Sequence, residues 1–295
     1  MKPAPLQWNT LSPRSLSAQA TPADTMESAG TVQFSASQSV ASRWDERNEA
    51  PPTLGGGRPD EKRLKAAGYT LYPIGSLTVL NNLTDRSPDP RLSDYTFGAG
   101  GFDVVCSGTF IYEVRGRDMR VPAGPIMRRG RLDGRGVDKG QRRGAVATLA
   151  DGTIRVARTG GSGGECTVQS LQSAFGSPTS PVVDLCGGGA LLIERGARVG
   201  GQDLYDVQRF ESGAGGFKAP QLRNGLHLAI GIHAGSAWLI VAHSHDGQMM
   251  QDDLYAAGFG SLVVFDGGSG GFLRDHSGTP YQGRDVQGFG IKLRR

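Results

Sequence analysis

The chain is short of aromatic residues, which fill 7% of its 295 positions. Cysteine is rarer still: Cys106, Cys166 and Cys186 are the three, with no Cys-x-x-Cys spacing. An odd, scattered set argues against a disulfide scaffold and against a zinc site. Plain buried thiols are the expectation, with one disulfide plus one thiol left open. No window holds about 18 uninterrupted apolar residues, so no membrane-spanning helix is expected. The opening "MKPAPLQWNTLSPRSLSAQA" has a Lys but no apolar core of a secretory signal. The expected location is cytoplasmic, or outside the cell by a non-classical or phage-type route. Neither charge sign dominates. The formal net charge of +4 is a mild basic bias that suits an anionic ligand and does not point to nucleic acid. There is no Gly-x-Ser-x-Gly nucleophile elbow and no His-Glu-x-x-His, and no Cys has an obvious activating His beside it, so serine, zinc and cysteine hydrolase chemistry has no support.

Glycine is what the chain has in excess: 46 residues, about twice the usual share. The glycines cluster between short apolar runs, which reads as many strands joined by tight turns. Residues 1–66 are rich in Ser, Ala, Thr, Gln and Pro and read as a disordered or linker arm. The domain is expected over 67–295. "GYTLYPIGSLTVLNNL" fits two strands. "ADGTI" (Ala150 to Ile154) is a strong hairpin signal, and "IHAGSAW" is a second. Helices are few. "TVQSLQSAF" sets Val168, Leu171 and Phe175 on one face. "QMMQDDLYAAG" sets Met250, Leu254 and Ala257 together and stops at Gly258. The strand "SLVVF" follows, so a strand–helix–strand crossover is expected. The fold class is α+β: a large mixed, mostly antiparallel sheet with few helices and Gly-rich strand-end loops.

Five places could carry chemistry. In "LVVFDGGSGGF" an apolar run ends at Asp266, followed by Gly267, Gly268 and Ser269. Side chains just beyond a buried strand can face a crevice, and the glycines let a ligand approach backbone; a simple Asx turn is the plainer alternative. "CGGGALLIERG" carries Gly187, Gly188 and Gly189 between two strands without a phosphate-loop signature. "FGAGGFD" is a further Gly-rich turn. The stretch from Arg128 to Arg143 holds seven basic residues and two acids, either an anion contact or a solvated loop. "HSHD" places two histidines at i and i+2, either a metal pair or the polar end of a strand.

In this order the pieces resemble the phosphodiester glycosidase domain. "GAGGFD" resembles that family's Asn-Gly-Gly-Phe-Phe turn and "VPAGPIMRRGRL" its Pro-x-Gly hairpin. "RRGAVATLADGTIRV" resembles its Arg-containing strand and Asp-Gly hairpin. "GGGALLIERG" resembles its Gly-Gly-Gly-Pro-Leu-Leu segment, and "DDLYAAGFGSLVVFDGGSGG" its helix, strand and Asp-Gly-Gly-Gly-Ser. The match spans roughly 97 to 275. Three motifs depart: Ala99 stands for Asn, His227-Leu228 for Arg-Thr, and Ser269 comes one place early. The resemblance implies a hydrolase cleaving a glycosyl phosphodiester bond in a glycan or glycoconjugate. It implies Asp266 and His227 as catalytic residues. Gly100, Gly101, Phe102, Arg143, Gly187, Gly188, Gly189, Gly267, Gly268 and Ser269 would bind the sugar phosphodiester. No cofactor is required by the sequence, and a divalent cation near Asp266 is left open. The alternative is a catalytically degenerate domain that binds glycan or builds a larger structure. Oligomeric state is not legible.

Overall fold

The structure is a computed structural model and describes residues 57–81, 104–109, 111–114, 119–134, 143–159, 166–199, 226–243, 245, 247–265, 267, 271–282 and 289–294. Every pairing among them is antiparallel. The largest sheet has six strands, in the order β1 (Tyr69–Ile74), β14 (Ser236–His243), β13 (Leu226–His233), β15 (Phe259–Phe265), β11 (Leu191–Glu194) and β12 (Ala197–Arg198). One five-stranded sheet runs β7 (Arg131–Gly134), β6 (Ile126–Arg128), β10 (Val182–Gly187), β8 (Gly144–Leu149) and β9 (Ile154–Arg158). The other runs β17 (Gly278–Gln282), β16 (Phe272–Asp275), β3 (Val104–Ser107), β18 (Phe289–Arg294) and β2 (Ser76–Asn81). β4 (Ile111–Val114) and β5 (Met119–Pro122) form a separate pair. Three helices complete the described residues: α1 (Glu61–Ala66), α2 (Val168–Phe175) and α3 (Gly247–Ala256). None is long and apolar enough to cross a membrane.

Strand alternation sorts the side chains into layers. Leu226, Leu228, Ile230, Val263 and Phe265 leave one face of the six-stranded sheet. They join Ile126, Val146 and Cys186 of one small sheet and Cys106, Ile291 and Leu293 of the other in a central core. Ala229, Trp238, Ala242, Leu262 and Val264 leave the opposite face and pack under α3 and α1, through Met250, Leu254 and Leu64. α2 covers the outer face of the first small sheet through Leu171 and Phe175.

Local chemistry accounts for most elements. At the tip of the β8–β9 hairpin the Asp151 carboxylate accepts from Thr153 N at 2.9 Å, and Gly152 takes φ +85°. Those hydrogen bonds hold the Asp151 carboxyl below its usual range. Three two-residue turns, Arg129-Gly130, Arg195-Gly196 and Ala234-Gly235, have φ positive at both positions. They join β6 to β7, β11 to β12 and β13 to β14 with the twist that hairpins favour. α3 leaves β14 and returns as β15, and both strands flank β13. β14 and β15 are therefore parallel, one strand apart, so the expected crossover is present.

One expectation is corrected. The boundary at 66/67 falls inside packed structure, because α1 precedes it and Leu64 lies in the core at 2% exposure. Asp60 caps that helix by accepting from Arg63 N at 3.0 Å. In α2, Leu171 and Phe175 are buried but Val168 is exposed at 38%. Helical spacing puts Val168 on the right face; it does not say how far the covered surface extends.

Candidate functional site

β15 runs as four buried apolar residues, Leu262 to Phe265, to one end of the six-stranded sheet. Different segments flank that end on its two sides. On one side Gly189 N donates to the Val264 carbonyl at 2.7 Å and Val264 N to the Ala190 carbonyl at 3.0 Å. Gly144 N donates to Gly189 O at 3.0 Å, and Gly188 N to Gly144 O at 2.8 Å. The Gly triplet is thus where the chain leaves β10 in one sheet and enters β11 in another. Contact, not only flexibility, demands glycine there. A Cβ on Gly188 would stand 2.6 Å from Val264 O, and one on Gly187 2.7 Å from Gly124 Cα.

Arg143 precedes β8 on this side and is 2% exposed. Its Nη1 donates to Gly188 O at 3.5 Å, and its own carbonyl accepts from Thr159 N at 2.8 Å and Thr159 Oγ1 at 3.1 Å. A guanidinium stays charged when buried, so it is a ready contact for an anion that reaches it. Among the described residues of the basic segment it is the buried one. Arg128 forms an ion pair with Asp133 at 2.7 Å, and Arg129 sits exposed in a turn.

On the other side of β15 stands the start of β13. The last pair in that ladder is Leu228 with Phe265. Beyond it, Gly267 is pressed against β13: a Cβ there would collide with Leu226 O and lie 3.5 Å from His227 Cα. Gly271 closes back on Gly267, with 3.2 Å between its Cβ position and Gly267 Cα. His227 is 3% exposed and pairs with Ala242, which pairs with Tyr69. Tyr69, Ala242 and His227 therefore form one row across three strands on the helix-covered face. Sequence reading missed two further members of this region. Tyr69 Oη donates to Asp253 Oδ2 of α3 at 2.9 Å, and the His245 ring lies 4.3 Å from the Tyr69 ring. Tyr69 reads as an ordinary strand residue and Asp253 as the polar face of a helix. Only their meeting makes them notable.

The fate of the sequence candidates is mixed. His227, Arg143, Gly187, Gly188, Gly189 and Gly267 gather around one strand end. Asp266, Gly100, Gly101, Phe102, Gly268 and Ser269 lie outside the described residues. Phe265 and Gly267, the chain neighbours of Asp266, are both described. Val104, the first described residue after the Gly100–Phe102 turn, pairs with Asp275, at the opposite end of β16 from Gly271. Gly187, Gly188 and Gly189 also use their N–H groups internally; Gly187 N donates to Pro125 O at 2.7 Å. A ligand there would meet carbonyls and Cα–H, not the amides that the glycines were expected to offer. Among the described residues no group of three or more His, Cys, Asp or Glu is placed to hold a metal ion.

All three cysteines are free and buried. Burial pushes the Cys186 thiol up to about 12, and Cys106 higher still, by burial first and then by the nearby Cys186.

No family model matches the chain, and no curated protein does. Among solved structures it is similar to the catalytic domain of zebrafish N-acetylglucosamine-1-phosphodiester alpha-N-acetylglucosaminidase, auto-inhibited by its pro-peptide. The two are 13% identical, with TM-score 0.49, over 77% of this chain and 82% of that one. It is also similar to a hypothetical protein of Synechocystis, at 14% identity and TM-score 0.46, over 78% of this chain and 60% of that one. A Burkholderia pseudomallei protein described as exported is 13% identical with TM-score 0.45, over 75% and 71% of the two chains. At such identity and overlap these likenesses assign neither family nor activity.

Proposed function

We propose that the chain is a hydrolase of glycosyl phosphodiesters. The observation that carries this reading is the gathering of His227, Gly267, the Gly187–Gly189 triplet and Arg143 around the end of β15, from segments far apart in sequence. The ordered motifs between 97 and 275 support the same substrate class. In this mechanism the bond from the anomeric carbon to the phosphate oxygen breaks and its electron pair leaves with the phosphate. Water adds to the carbon and gives up a proton. A phosphate is a good leaving group, so the protein must mainly stabilise oxocarbenium character and hold the water. Asp266 takes the proton as base or anchors the sugar. His227 donates to the phosphate as acid or hydrogen-bond donor, and Arg143 binds its oxygens. No cofactor is needed. A cation beside Asp266 would show as activity lost on chelation and restored by a divalent metal.

The test is turnover of a panel of chromogenic sugar 1-phosphodiesters by the wild type, Asp266→Asn and His227→Gln. Loss of about a hundredfold or more in kcat/KM is expected for each variant. Activity unchanged in Asp266→Asn removes Asp266 from the mechanism. No turnover of any panel member by the wild type retires the hydrolase.

A second reading, a domain of the same fold that binds glycan or assembles without turnover, has its own support. The triplet amides are used internally, and Ala99 and His227-Leu228 replace the Asn and Arg-Thr of the family that the sequence resembles.

A further inference from the structure

The two histidines of "HSHD" have no part in that mechanism, yet the structure treats them differently. His243 ends β14 and is exposed. His245 is only 6% exposed. Its Nδ1 lies 2.7 Å from the His243 carbonyl. A carbonyl only accepts, so Nδ1 carries a proton in either charge state of the ring. Nε2 has no hydrogen-bond partner among the described residues. Unlike the Trp238 Nε1 and His233 Nδ1 atoms, it is not sealed from solvent.

The ring packs against the start of β1. Tyr69 stacks on it at 4.3 Å with 40° between the planes, and the Tyr69 hydroxyl is tethered to Asp253. Gly68, the residue before Tyr69, comes so close that a Cβ would stand 3.0 Å from His245 Cε1. An imidazole fixed in place with one open nitrogen is an arrangement suited to a ligand.

It lies at the same end of the six-stranded sheet as the candidate site, with its ring against the edge strand β1. β14 ends with the pair Leu226–His243, and Leu226 abuts Gly267. His245 follows at that end, and α3 begins two residues later with ten residues of helix. Among the described residues, the titratable groups at His245 are Tyr69 on β1 and His243 on β14, with Asp253 on α3 held by Tyr69.

We propose that His245 is an anion-binding residue of this site, donating from Nε2 to an oxygen of a phosphodiester. The ligand class rests on the glycosyl-phosphodiester reading; the binding does not depend on turnover.

The test follows the imidazole nitrogen and proton signals of the whole chain by NMR during titration with dimethyl phosphate. This probe keeps a single negative charge between about pH 5 and about pH 8, so only the protein titrates. The His245 signals are identified by their loss in His245→Gln. The expected results are an Nδ1-protonated neutral ring, a shift of the His245 signals on binding, and affinity at least about tenfold lower in His245→Gln. A neutral ring protonated on Nε2, or an unshifted His245 while the probe saturates, overturns the proposal. So does equal affinity in a folded His245→Gln. If that variant does not fold, His243→Gln completes the assignment and the wild-type titration decides. Binding without turnover of any glycosyl phosphodiester keeps this inference and retires the hydrolase. Turnover with KM unchanged in His245→Gln does the reverse.

Discussion

At Gly267 the pressure for glycine comes from the protein's own backbone, since a Cβ would strike Leu226 O. The run Leu262–Phe265 is legible as a buried strand from its four apolar residues. The glycines after it read equally well as room for a ligand or as room for another strand, because the sequence does not say which strand arrives alongside. The cysteines were readable as buried thiols from their number and spacing. Their chemistry gives a prediction at this scale. In native protein at about pH 8 none of the three should react with a disulfide reagent, and all three should react in guanidinium, as counted by released chromophore. A thiol that reacts at once in the native chain refutes it. The pH sign follows from burial. With an unfolded thiol near 8.5 and Cys186 at about 12 when folded, no stability is lost below about pH 8.5. Above that pH, stability falls progressively toward the folded value, because the unfolded chain ionises first.

Among elements, hairpins and helix ends were the most readable, because their chemistry is local. Asp-Gly at 151–152 and Gly258 after α3 act through their own backbone angles, both with φ near +86°. The Arg129-Gly130 and Arg195-Gly196 turns carry the same signal in a weaker form, a glycine in second place without Asn or Asp before it. α2 shows what a local rule contributes. Thr167 Oγ1 accepts from Ser170 N at 3.0 Å, and Ser170 Oγ accepts from Thr167 N at 3.0 Å, a reciprocal cap. Thr167→Ala should lower stability by about 1 kcal/mol, seen as an earlier urea midpoint with an unchanged slope. No shift would mean that the cap is replaced by solvent at no cost.

For the whole molecule, the join between the six-stranded sheet and the β8–β10 sheet decides where a site can form. Gly188 sits at that join, 2.6 Å from Val264 O and 2.7 Å from Val263 Cγ2 at its Cβ position. A backbone oxygen held in a ladder cannot move aside as a side-chain tip can. Gly188→Ala should therefore cost about 1 to 3 kcal/mol in unfolding free energy, and also weaken any ligand affinity measured at the β15 end. An alanine variant with wild-type midpoint would show that the join is loose. The sequence by itself determined the fold class, the run of strands, the helix–strand crossover and the buried nature of β15, because periodicity and turn chemistry act over a few residues. It also marked Gly187–Gly189, Gly267, Arg143, His227 and the His243–His245 pair as unusual. Only the tertiary structure decided which of them meet, that the triplet amides are bound within the chain, and that His245 rests on Tyr69 with Nε2 open. Those outcomes depend on strand order and register across the chain, which burial of the shared core fixes and no short stretch of sequence encodes.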